Sequence, residues 1–180
     1  PQQANELVYT YSDLVPQVYA DLPVLYQHPL PPRAALESMV VPEGFRVELF
    51  AAEPDVINPI AMNWDELGRL WVIESLDYPH GEEGFNSRIK ILEDTDGDGK
   101  ADKVTVFADK LNIPTSIMAV NGGVLISMAP DFIFLKDTDG DDVADVREVM
   151  ITGWGKSDTH AGPSNLKYGF DNKIWGVLGY

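Results

Sequence analysis

The sequence predicts an all-β fold. From Phe45 onward, apolar runs of about five to eight residues recur, rich in Val, Ile, Phe and Trp and bounded by Gly, Pro, Asn or Asp. No segment keeps a helical period over three turns. We therefore predict a strand in each of the runs FRVELFA, RLWVIES, RIKILE, KVTVFA, GGVLISMA, FIFLKD, VREVMI and KIWGVLGY.

An acidic segment occurs twice. The run IKILEDTDGDGKADKVTVFADKL from Ile89 matches IFLKDTDGDDVADVREVMITGW from Ile133, and the aspartates recur at an offset of 43 residues. Tight polar turns at Asn63–Gly68, Asn121–Gly123 and Gly169–Asn172 each join two predicted strands. One unit is thus strand, tight turn, strand, loop, strand, acidic turn, strand. This four-stranded antiparallel meander is typical of a β-propeller blade.

The units predict a partial β-propeller over residues 36–180, with about two and a half blades at 58–111, 113–153 and 163–180, the last incomplete. An ordinary β-sandwich is the alternative, although it would not need the repeat. Because propellers close with about four to eight blades, we expect these residues to be the N-terminal part of a longer protein.

The N-terminal region is rich in proline. The first 42 residues hold seven of the 13 prolines, which disfavours a continuous helix or a central strand. We expect residues 1–35 to form an extended arm, with a helical turn at Ala34–Met39. The arm either packs along its own domain or serves as a tether to a surface protein complex.

Composition excludes several classes of function. The net charge of −16 argues against binding to nucleic acid or to anionic lipid. No apolar run approaches the ~20 residues of a membrane-spanning helix. Without cysteine, these residues offer no disulfide, thiolate nucleophile, Cys-ligated zinc or covalently bound haem c.

The two acidic turns, Asp94–Asp102 and Asp137–Asp145, are candidate calcium sites. Oxygen donors at positions 1, 3, 5, 7, 9 and 12 of such a loop suit Ca²⁺. Four carboxylates within nine residues also repel one another, by ~1 kcal/mol for a pair at 4 Å in water. The predicted donors are Asp94, Asp96, Asp98, the Lys100 carbonyl and Asp102, then Asp137, Asp139, Asp141, the Val143 carbonyl, Asp145 and Glu148.

Neither acidic turn is a complete EF-hand. The first has Thr105 where Glu is expected at position 12, and the second has Asp142 where Gly is expected at position 6. The flanking segments are predicted strands rather than helices. A solvated acidic turn without metal is therefore the alternative to a structural calcium site that clamps each hairpin.

The meander topology places both acidic turns on one face and the longer loops, Glu74–Arg88 and Gly155–Ser164, on the other. Long irregular loops on a rigid scaffold often form sites. His160 is the candidate general base there, since a histidine can accept a proton near neutral pH; the alternative is an ordinary loop histidine. His80 is more typical of a loop residue. The side chains of Asp77, Tyr78 and Arg88 could bind a polyol substrate, or be rim residues only.

The runs VPEGFRVELFAAEP, GRLWVIESLDYP, RIKILEDTDGDGKADKVTVFADKLNIPT and DTHAGPSNLKYGFDNKIWGVLGY resemble the N-terminal region of the membrane-bound dehydrogenase family. These large secreted bacterial proteins carry a propeller, often followed by helical repeats and a cytochrome c domain with a CxxCH motif. The resemblance covers nearly everything from Leu36 to Tyr180. The last run is more distantly similar to the soluble sugar dehydrogenases that depend on pyrroloquinoline quinone (PQQ), which are six-bladed propellers.

The resemblance implies an oxidoreductase of the periplasm or cell surface that oxidises a sugar or an alcohol. It gives His160 the role of the base that takes the hydroxyl proton while hydride passes to PQQ. The residues that hold the quinone in such enzymes lie in later blades, beyond Tyr180, and haem c would require a further domain outside this chain. The alternative function is a non-catalytic calcium-binding propeller for adhesion or glycan binding, because integrin-like FG-GAP repeats carry similar DxDxDG hairpins.

Overall fold

The computed structural model of the chain describes the backbone of residues 7–9 and 24–26, and all of residues 29–79 and 84–179. The chain divides into two units, Pro1–Leu49 and Phe50–Tyr180. Antiparallel strands dominate, with a single short helix among the described residues, so the predicted all-β class is confirmed. That helix is far too short to cross a membrane.

The first unit contains a strand pair and a short helix. β1 (Leu7–Tyr9) pairs antiparallel with β2 (Val24–Tyr26). The helix α1 (Pro32–Ser38) starts with proline in its first turn, where the missing N–H leaves no hydrogen bond unmade. The helical turn predicted at Ala34–Met39 is thus present and begins two residues earlier. Most of the predicted extended arm lies outside the described residues.

The second unit holds three antiparallel sheets in which consecutive strands pair. The first sheet has the order β3 (Pro59–Trp64), β4 (Leu70–Glu74), β5 (Ser87–Glu93), β6 (Lys103–Leu111). The second has the order β7 (Ser116–Val120), β8 (Gly123–Met128), β9 (Asp131–Lys136), β10 (Val146–Thr152). The third is the pair β11 (Ser164–Tyr168) and β12 (Ile174–Val177). None of these sheets closes into a barrel.

The main core lies between the first and second sheets, and β4 is buried at every position. Because side chains alternate along a strand, Trp71 and Ile73 join the core shared with the second sheet. Leu70 and Val72 point the other way and pack against Phe50 and its neighbours. Each fully buried aliphatic side chain contributes roughly 1.5–3 kcal/mol to stability.

One predicted strand is not formed. Residues 45–51, the run FRVELFA, have no strand partner among the residues that the structure describes. A strand needs a neighbour for its backbone hydrogen bonds, so the apolar pattern alone was not sufficient here. The Phe50 carbonyl nevertheless accepts a hydrogen bond from the N–H of Ala101 in the first acidic turn (2.9 Å).

A buried ion group holds the segment before β3 against the first sheet. Glu74, whose side chain is fully buried, accepts hydrogen bonds from the Ile57 N–H (2.7 Å) and from the Lys90 Nζ (2.8 Å) on one oxygen, and from the Arg88 Nε on the other. Burial alone would raise the pKa of Glu74, but the bonds from Lys90, Arg88 and Ile57 outweigh it and lower the pKa. The Lys90 ammonium also donates to the Asp55 carbonyl.

We expect Glu74→Gln to lower the free energy of unfolding by about 3 kcal/mol, because it leaves Lys90 buried without its counter-charge. Chemical denaturation would measure this. The matched control, Glu37→Gln, removes an exposed pair with Arg33 and should cost less than about 0.5 kcal/mol. Equal losses in the two variants would contradict the assignment.

The difference in unfolding free energy between the wild type and Glu74→Gln should depend on pH. The folded-state pKa of Glu74 lies below its ordinary value of 4.5, so the wild-type advantage is present above that pH. It is lost as the pH falls through the folded-state pKa, where the carboxylate takes up a proton. An advantage that disappears well above pH 4.5 would contradict this sign.

Candidate functional site

The first acidic turn joins β5 to β6 and is organised around Asp94. Its carboxylate accepts hydrogen bonds from the backbone N–H groups of Gly97 (2.7 Å) and Gly99 (2.8 Å). Both glycines have a positive φ, of 79° and 85°, which folds the loop around the carboxylate. These N–H groups, foremost that of Gly99, lower the pKa of Asp94, so it is ionised at neutral pH.

The second acidic turn joins β9 to β10 and repeats this arrangement around Asp137. The N–H groups of Gly140 (2.7 Å) and Asp142 (2.8 Å) donate to its carboxylate, and hydrogen bonds of this kind lower the pKa of Asp137. The pKa of Asp139 is raised instead, chiefly by the negative charge of Asp141. This direction is the one expected from like-charge repulsion within the turn.

In each acidic turn three carboxylates converge, with one oxygen of each within 4.8 Å of the others. These carboxylate groups are Asp94, Asp96 and Asp102 in the first turn, and Asp137, Asp139 and Asp145 in the second. Thr95 and Thr138 orient the last member of each group through a backbone N–H and a hydroxyl. Such clustered oxygens on an open loop can bind a hard divalent cation.

The remaining predicted donors lie outside the two carboxylate groups. Asp98 accepts from the backbone N–H (2.8 Å) and the ammonium (2.9 Å) of Lys100, and Asp141 accepts from the N–H of Val143 (2.8 Å). Glu148 lies exposed on β10. In an EF-hand a helix returns the twelfth residue to the ion, whereas an extended strand carries it away. The structure thus brings together fewer carboxylates than the spacing predicts.

The acidic turns and the long loops lie at opposite ends of the sheets. In an antiparallel meander, the first and third connections share an end and the second connection lies at the other. Arg69, which follows the β3–β4 turn, contacts Asp142 of the second acidic turn (2.7 Å). Both acidic turns are therefore at the same end as the β3–β4 turn, as the topology predicts.

His160 lies at the other end, in the connection between β10 and β11. Its Nδ1 is 3.2 Å from the Asp158 Oδ1, which also accepts the backbone N–H of His160 (2.8 Å). The imidazole packs edge-to-face on Tyr78, with ring centroids 5.5 Å apart. Thr159 donates its hydroxyl to the Pro79 carbonyl (3.3 Å), so the two long loops meet around His160. The side chain of His160 is 66% exposed.

Two of the three predicted substrate-binding residues are engaged inside the protein. Asp77 is buried, and its carboxylate accepts four hydrogen bonds from the backbone and side chains of Asn86 and Ser87. Burial would raise the pKa of Asp77, but these bonds lower it. Arg88 is paired with buried Glu74. Only Tyr78 is next to His160; His80 lies outside the described residues.

Two cavities bear on these sites. A cavity of about 370 Å³ is lined in part by Asp137 and Asp142 of the second acidic turn. A cavity of about 30 Å³ adjoins Asp158 and Thr159, which is room for roughly one water molecule. Sequence analysis missed the carboxylate that orients His160; the spacing Asp158-Thr159-His160 was the available signal.

A comparison with protein families matches residues 31–180 to DUF7133, a domain of unknown function. No curated protein matches the chain. Because the match spans most of the sequence, this chain is a member of the DUF7133 family.

Proposed function

We propose that this chain is the N-terminal propeller portion of a secreted bacterial dehydrogenase that oxidises a sugar or an alcohol. In this proposal the two acidic turns bind structural Ca²⁺ and His160 acts as the general base. The observation that carries the proposal is the separation of the two features. Acidic hairpins with converging carboxylates lie at one end of the sheets, and a histidine oriented by Asp158 lies between two long loops at the other.

Two observations support a propeller. The first strands of the three sheets are neighbours, with β7 between β3 and β11, as expected for sheets arranged around an axis. In addition, the alanine at position 8 of each acidic turn donates a backbone hydrogen bond to a carbonyl of an earlier segment. Ala144 donates its N–H to the Phe107 carbonyl on β6 (2.8 Å), and Ala101 donates to the Phe50 carbonyl (2.9 Å). Each turn thus docks on the segment that precedes it.

The carboxylate groups fit a calcium ion. Calcium takes about six to eight oxygens, and three carboxylates on an exposed loop supply part of this number while leaving room for water and carbonyl oxygens. Mg²⁺ demands a stricter octahedral geometry, so the open loop favours calcium. A bound cation would also relieve the repulsion that raises the pKa of Asp139.

The geometry around His160 suits proton transfer. With Nδ1–H donated to Asp158, the lone pair of Nε2 is available to accept the proton of a substrate hydroxyl. Asp158 holds the tautomer and stabilises the imidazolium that forms, and Tyr78 packs against one edge of the ring. The hydroxyl carbon must then lose a hydride, for which a quinone such as PQQ would be the acceptor.

The residues that hold the quinone in the similar sugar dehydrogenases are expected in later blades of the propeller. Of the side chains predicted to bind a ligand, the single cation, Arg88, is already paired with Glu74. We therefore assign this chain the proton transfer and leave quinone binding to those later blades. Haem c, likewise, would belong to a separate domain of the longer protein.

A non-catalytic calcium-binding propeller for adhesion or glycan binding is the second candidate. It is favoured by the exposure of His160 and by the small size of the adjoining cavity, which would not enclose a substrate. The acidic turns would keep their role under either function, since the hydrogen bonds that organise Asp94 and Asp137 lie within the turns themselves.

We expect calcium to stabilise the folded chain. At a free concentration of 100 times Kd, each site should add about 2.7 kcal/mol, so EDTA should lower the melting temperature in calorimetry. Asp139→Asn should reduce the stoichiometry measured by titration calorimetry from two ions to one. The control Asp109→Asn makes the same change at an exposed site on β6 and should keep both. An identical melt with and without EDTA, with no calcium by elemental analysis, would contradict the proposal.

For the enzymatic role, we expect the full-length protein with added PQQ to reduce a dye in the presence of a sugar or an alcohol. His160→Ala should lower kcat by about 10²–10⁴-fold, as for the loss of a general base, and Asp158→Asn by a smaller factor. Arg147→Ala, exposed on β10, is the control. Full activity of His160→Ala would refute its role as the base. Glycan binding without oxidation, unchanged in His160→Ala, would favour the second candidate.

A further inference from the structure

The two acidic turns differ at their sixth position. The first has Gly99 with φ 85°, and the second has Asp142 with φ 63°. A positive φ is strained for a residue with a Cβ atom, although Asn and Asp tolerate it better than most. The N–H of each residue donates to the central carboxylate of its turn at 2.8 Å, so the backbone role is the same. Backbone geometry alone therefore does not explain why the second turn has an aspartate where the first has a glycine.

The Asp142 carboxylate binds two cations of the neighbouring sheet. Its Oδ1 accepts from the Arg69 Nη1 (2.7 Å), and its Oδ2 accepts from the Lys103 Nζ (3.1 Å). Arg69 is itself held by Asp65 (2.7 Å) and lies over the Trp71 ring. Partial burial would raise the pKa of Asp142, but Arg69 and Lys103 outweigh it and lower the pKa.

Asp142 therefore connects two structures. Its side chain is bonded to the first sheet, while its N–H donates to Asp137 of the carboxylate group in the second acidic turn. The adjacent bond from the Ala144 N–H to the Phe107 carbonyl fastens the same turn to β6. Asp142 is not a member of the carboxylate group. It is placed to orient that group relative to the first sheet.

We propose that Asp142 is a latch between the two sheets, which holds the second acidic turn closed against the first sheet and positions Asp137. The latch operates with or without a cation. If the proposed calcium site exists, the latch also couples ion binding at the second turn to the packing of the two sheets, and this coupling is reciprocal. This second step rests on the proposed function; the first does not. In the first turn, Gly99 has no side chain with which to form such a latch.

Asp142→Gly gives a test whose sign separates two explanations. Backbone preference alone predicts a higher melting temperature in EDTA, because glycine removes the strain at φ 63°. The latch predicts a lower one, because the bonds to Arg69 and Lys103 are lost. Asp142→Asn, which keeps a tolerated backbone but removes the charge, should also lower it. The control is Asp109→Asn. A melting temperature of Asp142→Gly at or above the wild type would overturn the latch.

A double-mutant cycle measures the latch directly. In the background of Arg69→Met with Lys103→Met, Asp142→Asn should have little further effect on the melting temperature in EDTA. Full additivity of the changes would overturn the bonded latch, whatever the stability of the single variants.

The coupling is tested by calcium titration in the background of Asp96→Asn, which leaves the second turn as the site observed. Asp142→Asn should weaken Kd there on the order of 10-fold, within the usual range of allosteric coupling. An unchanged Kd would overturn the coupling. It would not affect the latch itself, which is tested by the melting temperatures in EDTA. If the wild-type protein binds no calcium, both the proposed calcium site and the coupling are refuted. The melting temperatures in EDTA then test the latch by themselves.

Discussion

β4 is buried on both faces, and charged groups at its two ends bind the neighbouring segments. At one end, Arg69 ties the β3–β4 turn to the second acidic turn through Asp142. At the other end, Glu74 binds Lys90 and Arg88 and so holds the start of the long β4–β5 loop. Between these ends, Trp71 and Ile73 pack against the second sheet. The groups at the ends of this five-residue strand therefore bind the second acidic turn on one side and the loop that reaches His160 on the other.

The charge distribution supports the external cation that we propose for the acidic turns. The chain has 13 Lys and Arg against 29 Asp and Glu, and several of its cations are committed elsewhere. Arg69 and Lys103 neutralise Asp142, while Arg88 and Lys90 neutralise Glu74. Lys100 pairs with Asp98, next to the carboxylate group rather than in it. Among the described residues, the converging carboxylates accept hydrogen bonds from backbone N–H groups and from Thr95 and Thr138.

Local sequence patterns predicted most of the strands and turns, whereas contacts between residues far apart in the sequence could not be predicted from them. Strand runs, polar turns and the recurring aspartates gave the antiparallel meanders, because each depends on neighbours in sequence. The strand predicted at FRVELFA is not formed, because a strand needs a hydrogen-bonding neighbour and the local sequence does not show whether one is present. Arg88 was predicted to bind substrate, but it pairs with Glu74, 14 residues away. Glu148, the predicted twelfth-position donor, lies exposed on β10, where its role as a ligand stays a prediction. The bond from Arg69 to Asp142 spans 73 residues and leaves no local signal.

The length of the strands decides what role a cation in the acidic turns could have. β4 alone spans roughly 17 Å at about 3.3 Å per residue, and His160 is reached only beyond it, through Tyr78 of the following loop. Charges this far apart in a solvated protein are screened, since the Debye length is about 8–10 Å at ordinary ionic strength. An ion in either acidic turn cannot polarise a substrate beside His160. Its effect on any chemistry there would have to pass through the packing of the two sheets, so the calcium that we propose at these turns would be a structural ion.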